Sequence, residues 1–312
     1  MRPGRLPAKP RVTPPSAAAI GNLELAVLRR LDGLLQGDYA GLLPGPGSDT
    51  GEARPYVAGD DTRHIDWAVT ARTTEPHVRD TISDRELELW LVVDASKSLD
   101  FGTARSEKRE VVWAAAGAFA LLASRGGNRV GALTTASTRA VFPARSTRAH
   151  VASVLTALRQ PHEHDPADDT GLREVLRRGR RVASRRGLVV VLSDFLTPTG
   201  WEREMQALAH RHDVIAVEVV DPRELALPDV GLLQVADTET GRRRYVDTHD
   251  RKLRERYASA AAAQRATIAR AITSAGADHL VLRTDRDWVV DLVRFVAGRR
   301  KRRLAAAAGG HR

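Results

Sequence analysis

From residue 86 onward, short apolar runs alternate with longer stretches in which apolar residues recur every three or four positions. The runs are rich in Val, Leu and Ile and predict strands at residues 87–93, 130–135, 188–193, 214–219 and 279–282. The stretches between and after them predict helices at residues 104–124, 148–158, 171–183, 201–211, 250–274 and 287–297. Continuous apolar strands separated by helices are typical of a parallel sheet with helices on both faces. We therefore predict an α/β fold with a doubly wound, mostly parallel sheet over residues 86–298, whose ligands bind at the carboxyl ends of the strands.

The chain before residue 86 has a different pattern. Residues 1–20 contain five prolines, which interrupt helices and sheets, and we predict a disordered basic arm there. Apolar residues then recur at helical spacing from Ile20 to Leu34, and the Gly- and Pro-rich residues 42–51 predict a loop. We interpret residues 21–85 as a small N-terminal appendage that leans on the main domain.

The composition fits a globular protein and excludes several classes. Of the 312 residues, 42% are hydrophobic and 28% are charged, close to globular averages. Because the chain contains no cysteine, disulfides and thiolate chemistry are excluded. No apolar run approaches the roughly 20 residues of a membrane-spanning helix, and the N-terminus lacks the apolar core of a secretory signal. We therefore expect a cytoplasmic protein without a membrane span.

The net charge of +10 is concentrated at the two ends of the chain. Residues 1–20 and 299–312 together carry ten basic residues and no acid, so residues 21–298 are neutral by count. We predict that residues 299–312 form a disordered basic tail. A folded body that binds nucleic acid normally has a basic surface of its own, so we expect no specific nucleic-acid function, with binding through the two ends as an alternative. The arginines between residues 177 and 186 are a local exception, which we interpret as a solvated helix face.

Oxygen-bearing side chains follow two of the predicted strands. Asp94, Ser96 and Ser98 come directly after the first strand, and Asp194 follows a later one, while Thr170 opens a predicted helix. Each of them alone is typical of a turn or a helix cap. Together they are hard oxygen donors of the type that Mg²⁺ selects, and parallel strand ends bring such donors to one edge of the sheet. We therefore predict a Mg²⁺ site, with Mn²⁺ or Ca²⁺ as alternative ions.

The spacing Asp94-x-Ser96-x-Ser98, followed by Thr170 and Asp194, resembles the metal-ion-dependent adhesion site of von Willebrand factor A domains. By this resemblance, Asp94, Ser96 and Ser98 supply the first ligand loop. The second loop is supplied by Thr170, and the third by Asp194, partly through water.

A second motif lies upstream, in the appendage. It runs Tyr56-x-x-Gly59-Asp60-Asp61-x-Arg63-x-Ile65-Asp66-Trp67, followed by Thr70-Ala71-Arg72. This motif is similar to the hallmark of the domain of unknown function 58, a bacterial family. Members of that family sit beside MoxR-type AAA+ ATPases and carry a von Willebrand factor A-like domain. The motif is either a structural clasp, in which Trp67 anchors the appendage on the main domain, or a partner-binding surface. Its candidate residues are Gly59, Asp60, Asp61, Arg63, Asp66, Trp67 and Arg72.

These features predict a non-enzymatic protein-interaction module in which bound Mg²⁺ keeps one coordination position open for an Asp or Glu of a partner. The family resemblance implies a MoxR-type AAA+ ATPase as that partner, with this chain as adaptor or co-chaperone in maturation or assembly of a client protein complex. The alternative is a Mg²⁺-dependent phosphoryl-transfer enzyme with Asp94 as nucleophile. Enzymes of the haloacid-dehalogenase type have a second acid where this chain has Ser96, which removes the proton shuttle. No P-loop motif occurs, so we expect no ATP site of that type in the chain itself.

Overall fold

A computed structural model describes residues 53–57, 62, 65–73, 75–79, 87–135, 141–159, 171–197, 200–236 and 243–309. The predicted arm at residues 1–20 and the predicted helix and loop that follow it lie outside the described residues. The same is true of five candidate site residues: Gly59, Asp60, Asp61, Arg63 and Thr170.

All the strands and helices predicted after residue 86 are present, with bounds that differ by a few residues, except at the end of the last helix. The strands are β1 (Ala53–Pro55), β2 (His77–Arg79), β3 (Glu88–Val93), β4 (Arg129–Thr134), β5 (Val141–Arg145), β6 (Leu188–Ser193), β7 (Asp213–Val220), β8 (Leu232–Ala236), β9 (Arg243–Asp247) and β10 (Asp278–Arg283). The helices are α1 (Trp67–Thr73), α2 (Lys108–Arg125), α3 (Arg148–Arg159), α4 (Leu172–Val182), α5 (Trp201–Ala209), α6 (Pro222–Leu225), α7 (Arg251–Ser274) and α8 (Trp288–Gly309). None of the helices within the described ranges combines the length and the hydropathy needed to cross a membrane.

Six strands form the central sheet, in the order β10-β7-β6-β3-β4-β5. Every neighbouring pair is parallel except β4 and β5, which are antiparallel. The chain starts this sheet at β3, adds β4 and β5 on one side, and then adds β6, β7 and β10 on the other. The predicted fold class, an α/β fold with a doubly wound and mostly parallel sheet, is confirmed.

Two apolar layers cover the faces of the sheet. Every residue of β3 is buried, and successive side chains alternate between the layers, with Leu89 and Leu91 in one and Trp90 and Val92 in the other. Residues of α2, α3 and α8 complete the first layer, and residues of α4, α5 and α7 complete the second. Burial on both faces explains why the parallel strands appear in the sequence as uninterrupted apolar runs.

The sequence pattern did not predict β5 or the hairpin of β8 and β9. Strand β5 is an edge strand with mostly exposed or half-buried residues, and it contains Pro143. Strands β8 and β9 pair with each other outside the central sheet, and Leu232 is 71% exposed. Because these strands do not lie between two apolar layers, they lack the continuous apolar run that identified the others.

The start of helix α1 corrects the role expected for Trp67. Asp66 caps this helix, since its carboxylate accepts from the amides of Ala68 at 3.0 Å and Val69 at 3.2 Å. The indole of Trp67 is 72% exposed, so the expectation that Trp67 anchors the appendage by burial is wrong.

Helix α8 corrects the predicted boundary at residue 298. Residues 299–309, expected to belong to a disordered basic tail, continue the helix to Gly309. Arg299 is only 1% exposed, donates to Asp278 at 2.6 Å and also pairs with Asp213. The run of basic residues therefore begins with an arginine that belongs to the fold.

Candidate functional site

The candidate metal ligands after β3 and β6 lie side by side at the carboxyl edge of the sheet. These two strands pair in parallel up to Val93 and Leu192. The amide of Asp94 then donates to the carbonyl of Leu192 at 2.9 Å. Asp94 and Asp194 consequently leave the sheet from neighbouring strand ends, as the order of the predicted elements indicated.

Asp94 is a buried carboxylate surrounded by neutral donors. One carboxylate oxygen accepts from the Ser96 amide at 2.9 Å and from the Thr135 hydroxyl at 3.2 Å. The other oxygen accepts from the Ser193 hydroxyl at 2.6 Å. Burial, and then the negative charge of Asp194, raise the pKa of Asp94 above its ordinary value. Among the described residues, no basic side chain forms an ion pair with Asp94.

The two serines lie on the same turn as Asp94. The hydroxyl oxygens of Ser96 and Ser98 are 3.0 Å apart, so both are directed to one place. Ser96 precedes the 3₁₀ turn Lys97–Asp100, but its side chain makes no capping hydrogen bond there. Both serines are partly exposed, unlike Asp94, so this side of the turn is open to another molecule.

Asp194 differs from Asp94 because it pairs with a buried lysine. The ammonium group of Lys108 donates to Asp194 Oδ2 at 2.7 Å and to Glu224 Oε1 at 2.5 Å. The side chains of Lys108 and Asp194 have no exposed surface. The other oxygen of Asp194 accepts from the amide of Leu196 at 3.1 Å. Asp194 thus has a cation from the protein itself and donors on both oxygens.

The ion pair of Lys108 and Asp194 is one end of a longer network. Glu224 also pairs with Arg265 at 3.1 Å, and Arg265 in turn pairs with Glu218. The second oxygen of Glu218 lies 2.8 Å from His279 Nε2 on the edge strand β10. A continuous row of ionisable side chains therefore connects the end of β6 to the edge strand β10.

The turn after Asp194 has a strained backbone. Phe195 has φ 55°, and among the described residues other than glycine it alone has a positive φ. The left-handed conformation is unfavourable for a bulky residue, and such strain concentrates at functional sites. The turn is held by a hydrogen bond from the Phe195 amide to the Ser193 hydroxyl at 3.0 Å. The Phe195 ring also packs against the Trp201 ring, with 5.1 Å between the ring centroids. The strained residue and the two contacts that support it therefore follow directly after Asp194.

Asp221, at the end of β7, anchors the segment that follows the Asp94 turn. Its carboxylate accepts from the amide and hydroxyl of Thr103 at 2.9 and 2.6 Å, and from the Thr284 hydroxyl at 2.8 Å. Burial alone would raise the pKa of Asp221, but these hydrogen bonds, with one from the Arg223 amide, outweigh burial and lower the pKa below its ordinary value.

Replacing Asp221 with asparagine is expected to lower the free energy of unfolding at pH 7 by about 1–3 kcal/mol. Because the pKa of Asp221 is lower in the folded state than in the unfolded state, its carboxylate contributes fully to the free energy of unfolding at pH values above the unfolded pKa. The contribution is lost as the pH falls through the folded pKa. Urea titrations from pH 7 to pH 3 should therefore show a difference between wild type and Asp221→Asn that shrinks below about pH 4. Asp247→Asn, at an exposed position of β9, is the control. A difference that stays constant over this range would contradict the assignment.

The residues of the Asp94 turn fit a hard divalent cation in donor chemistry. One carboxylate and two convergent hydroxyls are oxygen donors, which Mg²⁺ prefers, and they are too few to complete its coordination. Within the described residues, no group of three or more His, Asp or Glu side chains could hold a metal ion. A cation at Asp94, Ser96 and Ser98 would therefore need Thr170 or water as further ligands.

The upstream motif residues that the structure describes have local roles. Asp66 caps α1, and the guanidinium of Arg72 donates to the Ala68 carbonyl within the same helix at 3.1 Å. Trp67 is exposed at the start of this helix. The contacts that orient Asp94 come from other parts of the chain.

Four residues of the site were not predicted from the sequence. Thr135 and Ser193 lie at the ends of β4 and β6, the two neighbours of β3, so the rule that pointed to Asp94 applies to them as well. Lys108 and Glu224 lie in the first turns of α2 and α6, where charged residues are ordinary. No sequence signal distinguishes these two from solvated helix residues.

The chain matches the model of the family described as "Protein of unknown function DUF58" over residues 52–267. The relatives include the uncharacterized protein Rv1480 of Mycobacterium tuberculosis (strain ATCC 25618 / H37Rv), which is 52% identical over 295 residues, covering 94% of this chain and 92% of that protein. The uncharacterized protein MAV169 of Mycobacterium avium is 53% identical over 126 residues, covering 40% of this chain and 74% of that protein.

Solved structures similar to the chain share little sequence with it. The conserved hypothetical protein BatB from Bacteroides thetaiotaomicron is 13% identical with a TM-score of 0.40, and the similarity covers 69% of this chain and 99% of that one. The SpRpn10 VWA domain is 9% identical with a TM-score of 0.37, covering 66% of this chain and 93% of that one.

Proposed function

Since the chain belongs to the DUF58 family of proteins of unknown function, as its upstream motif indicated, we propose that it is a metal-dependent protein-interaction module. In this proposal Asp94, Ser96, Ser98 and Thr170 hold a divalent cation, Mg²⁺ in first place, with Asp194 beside it. The cation binds an Asp or Glu of the partner. The partner is a MoxR-type AAA+ ATPase, and the chain acts in the cytoplasm as adaptor or co-chaperone in maturation or assembly of a client protein complex.

The proposal rests on the environment of Asp94. This carboxylate is 2% exposed and accepts hydrogen bonds only from neutral groups within the described residues. A buried charge without a partner is costly, and a bound cation would favour the ionised carboxylate that burial disfavours. The hydroxyls of Ser96 and Ser98, 3.0 Å apart on the same turn, supply two more oxygen ligands.

The openness of the serine side supports an interaction role for the cation. Asp94 is buried beneath the turn, whereas Ser96 and Ser98 are partly exposed and Lys97 between them is exposed. A cation held from below by Asp94 would present its open positions toward solvent on this side. A carboxylate of another protein is a hard oxygen ligand suited to such a position.

The metal step is tested by thermal unfolding with increasing MgCl₂. We expect Mg²⁺ to stabilise the wild-type chain, by about 2.7 kcal/mol at a hundred times the Kd, because only the folded state brings the ligands together. Asp94→Asn should abolish this stabilisation. Glu255→Gln, which changes an exposed carboxylate of α7, should leave it intact. Equal stabilisation of wild type and Asp94→Asn would rule out this metal site.

The partner step is tested by pull-down from an extract of the native cells with the tagged full-length chain. The AAA+ ATPase should be recovered with the wild type in Mg²⁺, and recovery should fall with EDTA or with Asp94→Asn. Recovery that is unaffected by both changes would contradict a metal bridge. Loss of recovery with Glu255→Gln as well would show that the effect is not specific to the site.

A further inference from the structure

A cavity lined by two arginines lies at the first turns of α4 and α5. It has a volume of about 400 Å³ and is lined by Arg173, Gly200, Glu202, Arg203 and Glu204. Arg173 is in the first turn of α4, and the other residues lie at the start of α5. The cavity therefore opens between two helices whose N-terminal ends are near the carboxyl edge of the sheet.

The segment after β6 connects this cavity to Asp194. Asp194 is followed by the strained Phe195, whose ring contacts Trp201 in the first turn of α5 at 5.1 Å. Gly200, immediately before this helix, has φ 118°, a conformation that favours glycine. A Cβ at Gly200 would lie 3.3 Å from Cδ of Arg173, so the arginine stem lies directly against this turn. Gly200, six residues after Asp194, thus lines one wall of the cavity.

The two glutamates of the cavity each form a hydrogen bond or an ion pair, whereas its two arginines form neither with the described residues. Glu202 accepts from the Gly200 amide at 2.6 Å, and Glu204 pairs with Arg180 at 3.2 Å. Arg173 and Arg203 are exposed and form no hydrogen bond or ion pair with any described residue. Among the residues that line the cavity, the two guanidinium groups are therefore the ones without a hydrogen-bond or ion-pair partner among the described residues.

The neighbouring surface of α4 is also basic. Arg177 pairs with Glu174 at 2.6 Å, whereas Arg181 has no ion pair within the described part of the chain. Glu174 is thus the one acid on a helix that carries five arginines, counted over Leu172–Val182. The side of the cavity formed by α4 is therefore net positive, which favours the approach of an anion.

We propose that the cavity between α4 and α5 binds an acidic side chain of a protein partner through Arg173 and Arg203. Guanidinium groups bind carboxylates by paired hydrogen bonds, and two of them suit one Asp or Glu or two adjacent ones. The partner is an acidic protein segment because residues 21–298 are neutral by count and aromatic residues are only 4% of the chain, which does not favour a nucleic-acid surface. The inference rests on the proposed interaction function and adds a second, metal-independent contact beside the first.

The test measures binding of fluorescein-labelled hexaglutamate to the full-length chain by fluorescence anisotropy, in EDTA and at low salt. The double variant Arg173→Gln/Arg203→Gln should raise the Kd about tenfold, as expected for losing two partly exposed ion pairs. The matched control is Arg244→Gln/Arg256→Gln, which removes the same charge from two exposed arginines on β9 and α7. The control should change the Kd by less than about twofold.

Several results would overturn the proposal. Equal weakening in both double variants would assign binding to the net charge alone. Absence of hexaglutamate binding by the wild type, or binding unchanged in Arg173→Gln/Arg203→Gln, would exclude the cavity as a carboxylate site. If labelled dT10 binds and only its affinity depends on Arg173 and Arg203, the cavity takes phosphate instead. Because the assay contains EDTA, Asp94→Asn should bind hexaglutamate like the wild type, so failure of the metal proposal and failure of this one are separate outcomes.

Discussion

Replacing Lys108 with methionine is expected to lower the free energy of unfolding by about 3–5 kcal/mol, because it removes the cation between two carboxylates and leaves Asp194 buried and unpaired. The ammonium group lies 2.7 Å from Asp194 and 2.5 Å from Glu224, and its side chain is fully buried. Methionine keeps a similar length and volume, so the effect isolates the charge from the packing. The measurement is urea unfolding at pH 7, with the slope of the transition compared between variants.

The control and a second variant separate the ion pair from a general loss of lysine. Lys252→Met, at an exposed position of α7, should change the free energy of unfolding by less than about 0.5 kcal/mol. The double variant Lys108→Met/Asp194→Asn should be more stable than Lys108→Met alone, since it removes the charge that the first substitution leaves unpaired. A loss below about 1 kcal/mol in Lys108→Met, or no recovery in the double variant, would show that the buried pair does not stabilise the fold as described.

Replacing Arg299 with methionine is expected to cost about 3–5 kcal/mol, although the sequence places this residue at the start of a basic tail. Arg299 is 1% exposed and pairs with Asp278 and Asp213, which lie on the neighbouring strands β10 and β7. Burial alone would raise the pKa of Asp278, but Arg299, assisted by Arg302, outweighs it and lowers the pKa. The substitution would leave these acids without their main cation at the point where α8 packs on the sheet.

Arg302→Met provides the matched control on the same helix. Arg302 also reaches Asp278, at 3.1 Å, but its side chain is 62% exposed, so its loss should cost less than about 1 kcal/mol. Urea unfolding of the two variants at pH 7 gives the comparison. If both variants lose a similar and small amount of unfolding free energy, residues 299–309 do not contribute to the fold as described.

The sequence predicted the strands that are buried on both faces and missed the strands that are exposed on at least one face. Strand β6 appears as Leu-Val-Val-Val-Leu-Ser because both its faces are covered, and its apolar run alone indicated a central parallel strand. Strand β5 and the hairpin of β8 and β9 are exposed on at least one side and have no such run. Trp67 shows the opposite error, since its size indicated burial while its side chain is 72% exposed.

The candidate site was predictable only in part for a related reason. Asp94, Ser96 and Ser98 are close in sequence and follow a strand, so local order was enough to place them on one turn. Lys108 contacts Asp194 across a separation of 86 residues, and no local pattern distinguishes a lysine in the first turn of α2 from a solvated one. The sequence interpretation of a solvated face concerned the arginines between residues 177 and 186 and did not include Arg173. The cavity beside Arg173 depends on α5, which supplies its other lining residues.

By itself, the sequence determined the order of the five parallel strands and of the helices that cover them, and the position of the oxygen-bearing turn at the edge of their sheet. These follow from the periodicity of apolar residues and from the chemistry of side chains that are neighbours along the chain. The tertiary structure decided which charges meet: Lys108 with Asp194, Arg299 with Asp278, and Asp94 with neutral donors only. Charge pairing depends on the distances between side chains that are far apart in sequence and on the burial of these side chains. Neither the distances nor the burial can be predicted from a local stretch of sequence.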